Sequence, residues 1–133
     1  MAVNEVEAKV KISDYFYGAA PVLVINDLAT SILYGQKGVS EWVSSLHVSV
    51  LPPRHMSFFC WIDPLETREL VYRLEEDDDQ KKEREVINLD FDKYQPIDGS
   101  SRWITFFDGK QRVLIFTHNA NLPQLLLNVR ANF

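Results

Sequence analysis

The chain has 133 residues, 46% of them hydrophobic, and carries 14 Lys and Arg against 19 Asp and Glu for a net charge of -5. That length fits one domain with a real core and is too short for two, and the mildly acidic balance, with no basic stretch to track phosphates, argues against nucleic-acid binding. A single cysteine, Cys60, excludes an internal disulfide, and no apolar run approaches the roughly 18 residues of a membrane span.

The opening residues Met1-Ala2-Val3-Asn4-Glu5 lack the basic and apolar regions of a secretory signal, so a cytoplasmic chain that does not itself insert into membranes is expected. Met1 need not be a natural start, because a fragment of a longer polypeptide would look the same. From Val6 to Ile12 apolar residues alternate with Glu7, Lys9 and Lys11, the period of a strand with one wet face. After Gly18-Ala19-Ala20-Pro21, the run Val22 to Ile25 reads as a fully buried strand ending at Asn26-Asp27. Ser31 to Gln36 is the next strand, closed by Gly35 and Gly38.

His47 to Leu51, the turn Pro52-Pro53, and Met56 to Trp61 read as strand, turn, strand, since proline cannot donate to a ladder. Cys60 in the second of these is expected to be a buried, inert thiol. Glu69 to Leu74 and Val86 to Leu89 are further strands, separated by the charged run Glu75 to Glu85. Arg102 to Thr117 is two β-prone runs flanking Asp108-Gly109, the signal for a two-residue type I′ hairpin. That loop would pair Phe107 with Lys110, Thr105 with Arg112, Ile104 with Val113 and Trp103 with Leu114. One face then holds Ile104, Phe106, Val113 and Ile115 and reads as core. The other holds Trp103, Phe107, Leu114 and Phe116 with Thr105, Arg112 and Lys110, and needs an opposing sheet, a neighbouring domain or a ligand. Beyond Asn121, Leu122, Leu125, Leu126 and Val129 recur at helical spacing behind Pro123, as a short helix or a linker.

About eight or nine short, mostly antiparallel strands with turns between them define an all-β sandwich over residues 1–120, followed by a helix or linker over 121–133. His47, His55 and His118 make no zinc pattern, and the carboxylates from Glu75 to Asp79 match no calcium loop. Neither metal nor cofactor is expected. The serines lack elbow glycines and Cys60 lies in an apolar run, so nucleophilic catalysis finds no support. An exposed platform of Trp42, Trp61 and Trp103 would suit a carbohydrate or lipid, but tryptophans in such runs are more often core. Asn26 closes an apolar strand, where its amide must find partners, either in nearby backbone or by supporting a ligand.

Three segments taken together resemble the adaptor-binding repeats of the vacuolar protein sorting thirteen family of bridge-like lipid-transfer proteins. They are Gly18-Ala19-Ala20-Pro21 with the strand ending in Asn26, the Leu51-Pro52 turn before Phe58-Phe59-Cys60-Trp61-Ile62-Asp63-Pro64, and Trp103 to Thr117. The resemblance runs from about Lys9 to Thr117, and the last segment is similar to the end of the final repeat of an array. Pro52-Pro53-Arg54, where the family more often has Pro-Gly, and the acidic insertion depart from it.

The resemblance implies a non-catalytic module in a hook-shaped array that binds Pro-x-Pro segments of adaptor proteins, bringing a lipid-transfer protein to organelle membranes and contact sites. It places Asn26 at the repeat's characteristic asparagine. Strand addition at a sheet edge is the physical mode expected for such a segment, with Val6 to Ile12 and the Arg102–Thr117 hairpin as candidate edges. Trp103, Phe107 and Arg112 are the expected contact residues, and neighbouring repeats of the same polypeptide are the other expected partners. A spacer repeat without a ligand of its own is the competing reading.

Overall fold

The computed structural model describes residues 21–63, 65–77 and 84–122. Nine strands follow in order: β1 (Val22–Asp27), β2 (Ile32–Gln36), β3 (Ser49–Leu51), β4 (His55–Phe59), β5 (Glu69–Leu74), β6 (Ile87–Asn88), β7 (Lys93–Pro96), β8 (Arg102–Phe107) and β9 (Arg112–Thr117). They form a five-stranded sheet in the order β4-β1-β9-β8-β7 and a four-stranded sheet in the order β3-β2-β5-β6. All pairings are antiparallel except that of β1 with β9. The chain is an all-β sandwich.

The period-two alternation of side chains assigns the faces. In β1, Val22, Val24 and Asn26 turn inward and are buried, while Leu23 and Ile25 turn outward and are half-buried. The inter-sheet core gathers Val22, Val24, Tyr34, Phe59, Tyr72, Trp103, Leu114 and Phe116. Its rings meet edge-on: Phe59 lies 5.7 Å from Tyr34 and 5.2 Å from Trp61. Such pairs add about 1 kcal/mol beyond the area they bury.

The hairpin of β8 and β9 forms, with a different register and a different loop. Phe107 pairs with Arg112, Phe106 with Val113, Ile104 with Ile115 and Trp103 with Phe116, so four residues, Asp108 to Gln111, make the connection. The physical reason is the Asp108 carboxylate, which accepts the backbone N–H of Lys110 at 2.8 Å and of Gln111 at 2.9 Å. This Asx-type turn competes with the tight type I′ loop, and Gly109 supplies the left-handed residue it needs at φ 98°. The slip is two residues, so every side chain keeps its expected face.

The face expected to need an opposing sheet meets one, and the face read as core is buried, though on the outer side of the sheet. Trp103, Leu114 and Phe116 meet the opposing sheet and belong to the main core. Ile104, Phe106, Val113 and Ile115 form a second buried cluster on the outer side of the five-stranded sheet, with Leu23, Ile25 and Leu122 packed against it. Two further differences concern single segments. β7, a mostly exposed strand that the sequence does not single out, pairs with β8; Lys-Tyr-Gln-Pro offers too little apolar alternation to announce it. Cys60 is exposed rather than buried, because β4 ends at Phe59 and Cys60 shares the outward parity of Met56 and Phe58. The strand expected at Val6–Ile12 and the segment beyond Leu122 lie outside the described residues.

Between β2 and β3 the chain folds back across the outer face of the four-stranded sheet. A β-carbon on Gly35 would lie 2.3 Å from the Ser40 hydroxyl, and that hydroxyl accepts the Gln36 N–H at 2.9 Å and donates to the His47 carbonyl at 2.6 Å. Gly35→Ala therefore displaces the segment's base and is expected to cost about 2 kcal/mol by overpacking, read as a lower midpoint in urea unfolding.

Asp98 organises the β7–β8 turn. One carboxylate oxygen accepts the backbone N–H groups of Ser100 and Ser101, both at 2.8 Å, and both serine hydroxyls. The Ser100 N–H, with the Ser101 hydroxyl next, holds the Asp98 carboxyl well below the usual carboxylate range, its pKa pushed down to about 2. A carboxyl held below its unfolded value contributes stability at neutral pH that is lost as pH falls through that value. Thermal stability is thus expected to decline between about pH 4 and pH 2, and Asp98→Asn to flatten that decline in melts across the window.

Candidate functional site: two amide clasps and an edge strand

Two fully buried amides hold the chain where it crosses between the sheets. Asn26, at the end of β1, donates through Nδ2 to the carbonyls of Thr30 (2.9 Å), Leu51 (2.9 Å) and Pro52 (3.1 Å), and its Oδ1 accepts the Leu28 N–H at 2.9 Å. It ties the β1–β2 turn to the Leu51-Pro52 turn that carries the chain from β3 to β4. Gln36, at the end of β2, does the same for the return crossing. Its Oε1 accepts the N–H groups of Ile62 (2.9 Å) and Asp63 (3.0 Å), and its Nε2 donates to the Asp63 carbonyl at 2.6 Å. Sequence reasoning singled out Asn26 and missed Gln36. The available signal was the same in both, an amide closing an apolar strand.

The element these clasps position is β4, which pairs with β1 on one side and, among the described residues, is an edge of the five-stranded sheet on the other. Its inward residue Phe59 is buried, whereas Met56 and Phe58 on the outer face are 65% and 61% exposed. They continue the outer apolar face, opposite Ile25 and Leu23 of β1. At one end of this edge lies a cleft of about 280 Å³ lined by Ile25, Asp27, Arg54, Met56, Ile115 and Leu122, among others. Arg54, in the left-handed region at φ 62°, donates to the Asp27 backbone carbonyl at 2.8 Å and pairs with its carboxylate, which also accepts the Thr117 hydroxyl at 2.9 Å. The cleft thus has an apolar floor and a polar rim whose charges neutralise each other.

The residues expected to make contacts do not converge. Trp103 is 1% exposed inside the sandwich, its indole N–H donating to Glu85 at 3.1 Å, so its ring is not offered to a surface ligand. Phe107 is 45% exposed at the far end of β8, beside Arg112, whose guanidinium is bound to Asp92. Asn26 stands at the opposite end of β1 from the Val22–Arg112 pair. Both strands of the hairpin are interior to the sheet, so the hairpin presents no free edge among the described residues. Nor do the tryptophans make a platform: Trp61 is buried with Trp103, and Trp42 is half-buried against Arg73.

His118 is engaged through both ring nitrogens: Nε2 lies 3.3 Å from the Ala29 N–H and Nδ1 2.9 Å from the Ser100 carbonyl. His55 Nδ1 lies 2.8 Å from the Pro53 carbonyl. Among the described residues no group of three His, Cys, Asp or Glu could hold a metal ion, and no helix is long and apolar enough to cross a membrane.

Fold and site together define an all-β sandwich whose buried polar side chains clasp its own crossings and whose one end-strand of the larger sheet is strongly apolar on its outer face. Over 113 residues, 83% of its length, the chain is 34% identical to the intermembrane lipid transfer protein VPS13C of Homo sapiens and 32% identical to that of Mus musculus. It spans about 3% of the length of these relatives. The chain belongs to the vacuolar protein sorting thirteen family. No protein-family model and no solved structure matches it.

Proposed function

We propose that this sandwich is an adaptor-binding repeat, a non-catalytic module that docks short Pro-x-Pro segments of adaptor proteins by adding them as a strand to β4. It would serve to recruit a cytoplasmic lipid-transfer protein, peripheral to organelle membranes, to contact sites. The supporting observation is the β4 edge, with Met56 and Phe58 exposed on alternate positions and an apolar cleft at its end. An added strand gains backbone hydrogen bonds from the edge, and its prolines, which need no N–H partner, can turn toward the apolar side chains. The expected extent is a sandwich over residues 1–120 with a helix or linker over 121–133.

Titration of the chain with a panel of Pro-x-Pro peptides is expected to saturate, and Phe58→Glu to weaken binding about tenfold or more by placing an unpaired charge in the contact. Absence of saturation by every peptide would refute the proposal for this repeat.

A spacer role is favoured by a separate observation. Ile62, Leu65, Phe91 and Phe107 are 40%, 87%, 67% and 45% exposed at the end of the sandwich reached by the last residues of β2, β4 and β8. That end suits stacking on a neighbouring repeat, and the two roles concern different surfaces of the same module.

A further inference from the structure

Arg73 is a buried cation on the outer face of the four-stranded sheet. It lies in the middle of β5 on the outer face of the four-stranded sheet, in a row with Leu33 of β2 and Val50 of β3. The residue is 8% exposed, and its Nε and Nη1 are buried with no hydrogen-bond partner among the described residues. Its guanidinium carbon sits 5.8 Å from the centre of the Trp42 ring, in the segment that folds back over Gly35. Trp42 gives the charge a π face and offers those two N–H groups no acceptor.

The Asp77 carboxylate does not answer this need. Against the opposing effect of burial, the Arg84 hydrogen bond holds the Asp77 carboxyl below the usual carboxylate range, and its oxygens are taken by Arg84 at 2.7 and 3.0 Å and by the Leu74 N–H at 2.9 Å. A buried guanidinium with unmade hydrogen bonds is costly to keep, and an apolar residue of similar size would pack in its place without that cost. Around it the surface is aliphatic: Val43 and Leu46 of the overlying segment are 80% and 50% exposed, and Val50 is 61% exposed.

We infer that this face is a second docking surface, on which a protein segment carrying one Asp or Glu between aliphatic residues inserts its carboxylate beneath Trp42 to pair with Arg73. Charge complementarity selects an anion, since Nε and Nη1 of Arg73 both lack an acceptor among the described residues and a carboxylate oxygen accepts strongly from a guanidinium N–H. The aliphatic surround and the net charge of -5 favour an isolated acidic side chain over an anionic lipid surface, which attracts clusters of basic residues. Entry requires Trp42 to move, so binding changes the environment of its indole. The surface is on the opposite sheet from β4 and does not rest on the Pro-x-Pro reading.

The test uses the whole chain and three probes: labelled peptides with a Leu-Glu-Leu or Val-Asp-Val centre, their Gln and Asn counterparts, and vesicles of phosphatidylserine with phosphatidylcholine. Saturable binding is expected for the acidic peptides, weaker by about tenfold or more for the amide peptides and for Arg73→Met. It should be accompanied by a change in fluorescence that Trp42→Phe abolishes. Arg73→Met should itself melt at or above the parent temperature, which separates loss of the site from loss of the fold. Equal binding of acid and amide peptides, no saturation by any of them, or Arg73-dependent binding to the vesicles instead would each overturn the inference.

Discussion

Asn26→Ser is expected to lower the melting temperature by about 10 °C, the largest effect of any polar substitution in this fold. The serine hydroxyl is too short to reach the carbonyls of Leu51 and Pro52, which Asn26 Nδ2 meets at 2.9 and 3.1 Å. Leaving buried carbonyls without donors costs about 1–3 kcal/mol each, so a loss of about 3 kcal/mol is reasonable for the site as a whole. Because the clasp orients the turn into β4, the folded fraction of the variant should still bind a Pro-x-Pro peptide, with reduced affinity, when measured well below its melt. A variant that melts with the parent and yet loses peptide binding would show that Asn26 acts on the ligand rather than on the turn.

Trp103→Ala is expected to cost about 4 kcal/mol, the range for emptying a buried aromatic site, and to leave little folded protein at 37 °C. Trp103 packs in the inter-sheet core and donates to Glu85, which also accepts the Tyr72 hydroxyl at 3.3 Å. Burial, reinforced by the adjacent Glu85, pushes the Tyr72 phenol well above its usual range, so it stays a donor at neutral pH. Phe107→Ala, one residue from the hairpin loop and 45% exposed, should by contrast shift stability by less than about 1 kcal/mol. Urea unfolding of the two variants side by side reads the difference. Comparable losses would mean that the two rings share a buried environment, contrary to the structure.

The strands were legible wherever apolar residues alternate or run together: Val22 to Ile25, Glu69 to Leu74 and the two halves of the hairpin all lie within strands. β7 was not, because an exposed strand of Lys, Tyr, Gln and Pro carries no periodic signal. The hairpin shows a finer limit. Asp-Gly announces a turn, but whether the Asp side chain caps the backbone and lengthens the loop to four residues depends on hydrogen bonds that composition does not display. That its two faces are both buried, one inside the sandwich and one on the outer side of the sheet, has a related cause. Both are apolar, and which one meets the second sheet is decided by the parallel pairing with β1, a contact between residues about 90 positions apart.

The candidate site was legible in part. Asn26 stands out because an amide at the end of an apolar strand must have partners, and Gln36 follows the same logic. The β4 edge did not stand out: Met56 and Phe58 look like core in sequence and become surface only because β4 lies at the end of the sheet order. Arg73 was equally silent, since a charged residue within a strand is ordinarily a solvated one and only the fold-back of Trp42 buries it.

The central claim is that β4 receives an extended proline-containing segment, and residue-resolved amide chemical shifts of the chain during titration with a saturating Pro-x-Pro peptide test it most directly. The largest changes are expected along His55–Phe59 and around the cleft at Ile25 and Ile115, with the opposite edge at Lys93–Pro96 unmoved. Shifts confined to the β7 edge or to the exposed end at Phe91 and Phe107, or none at all, would contradict it.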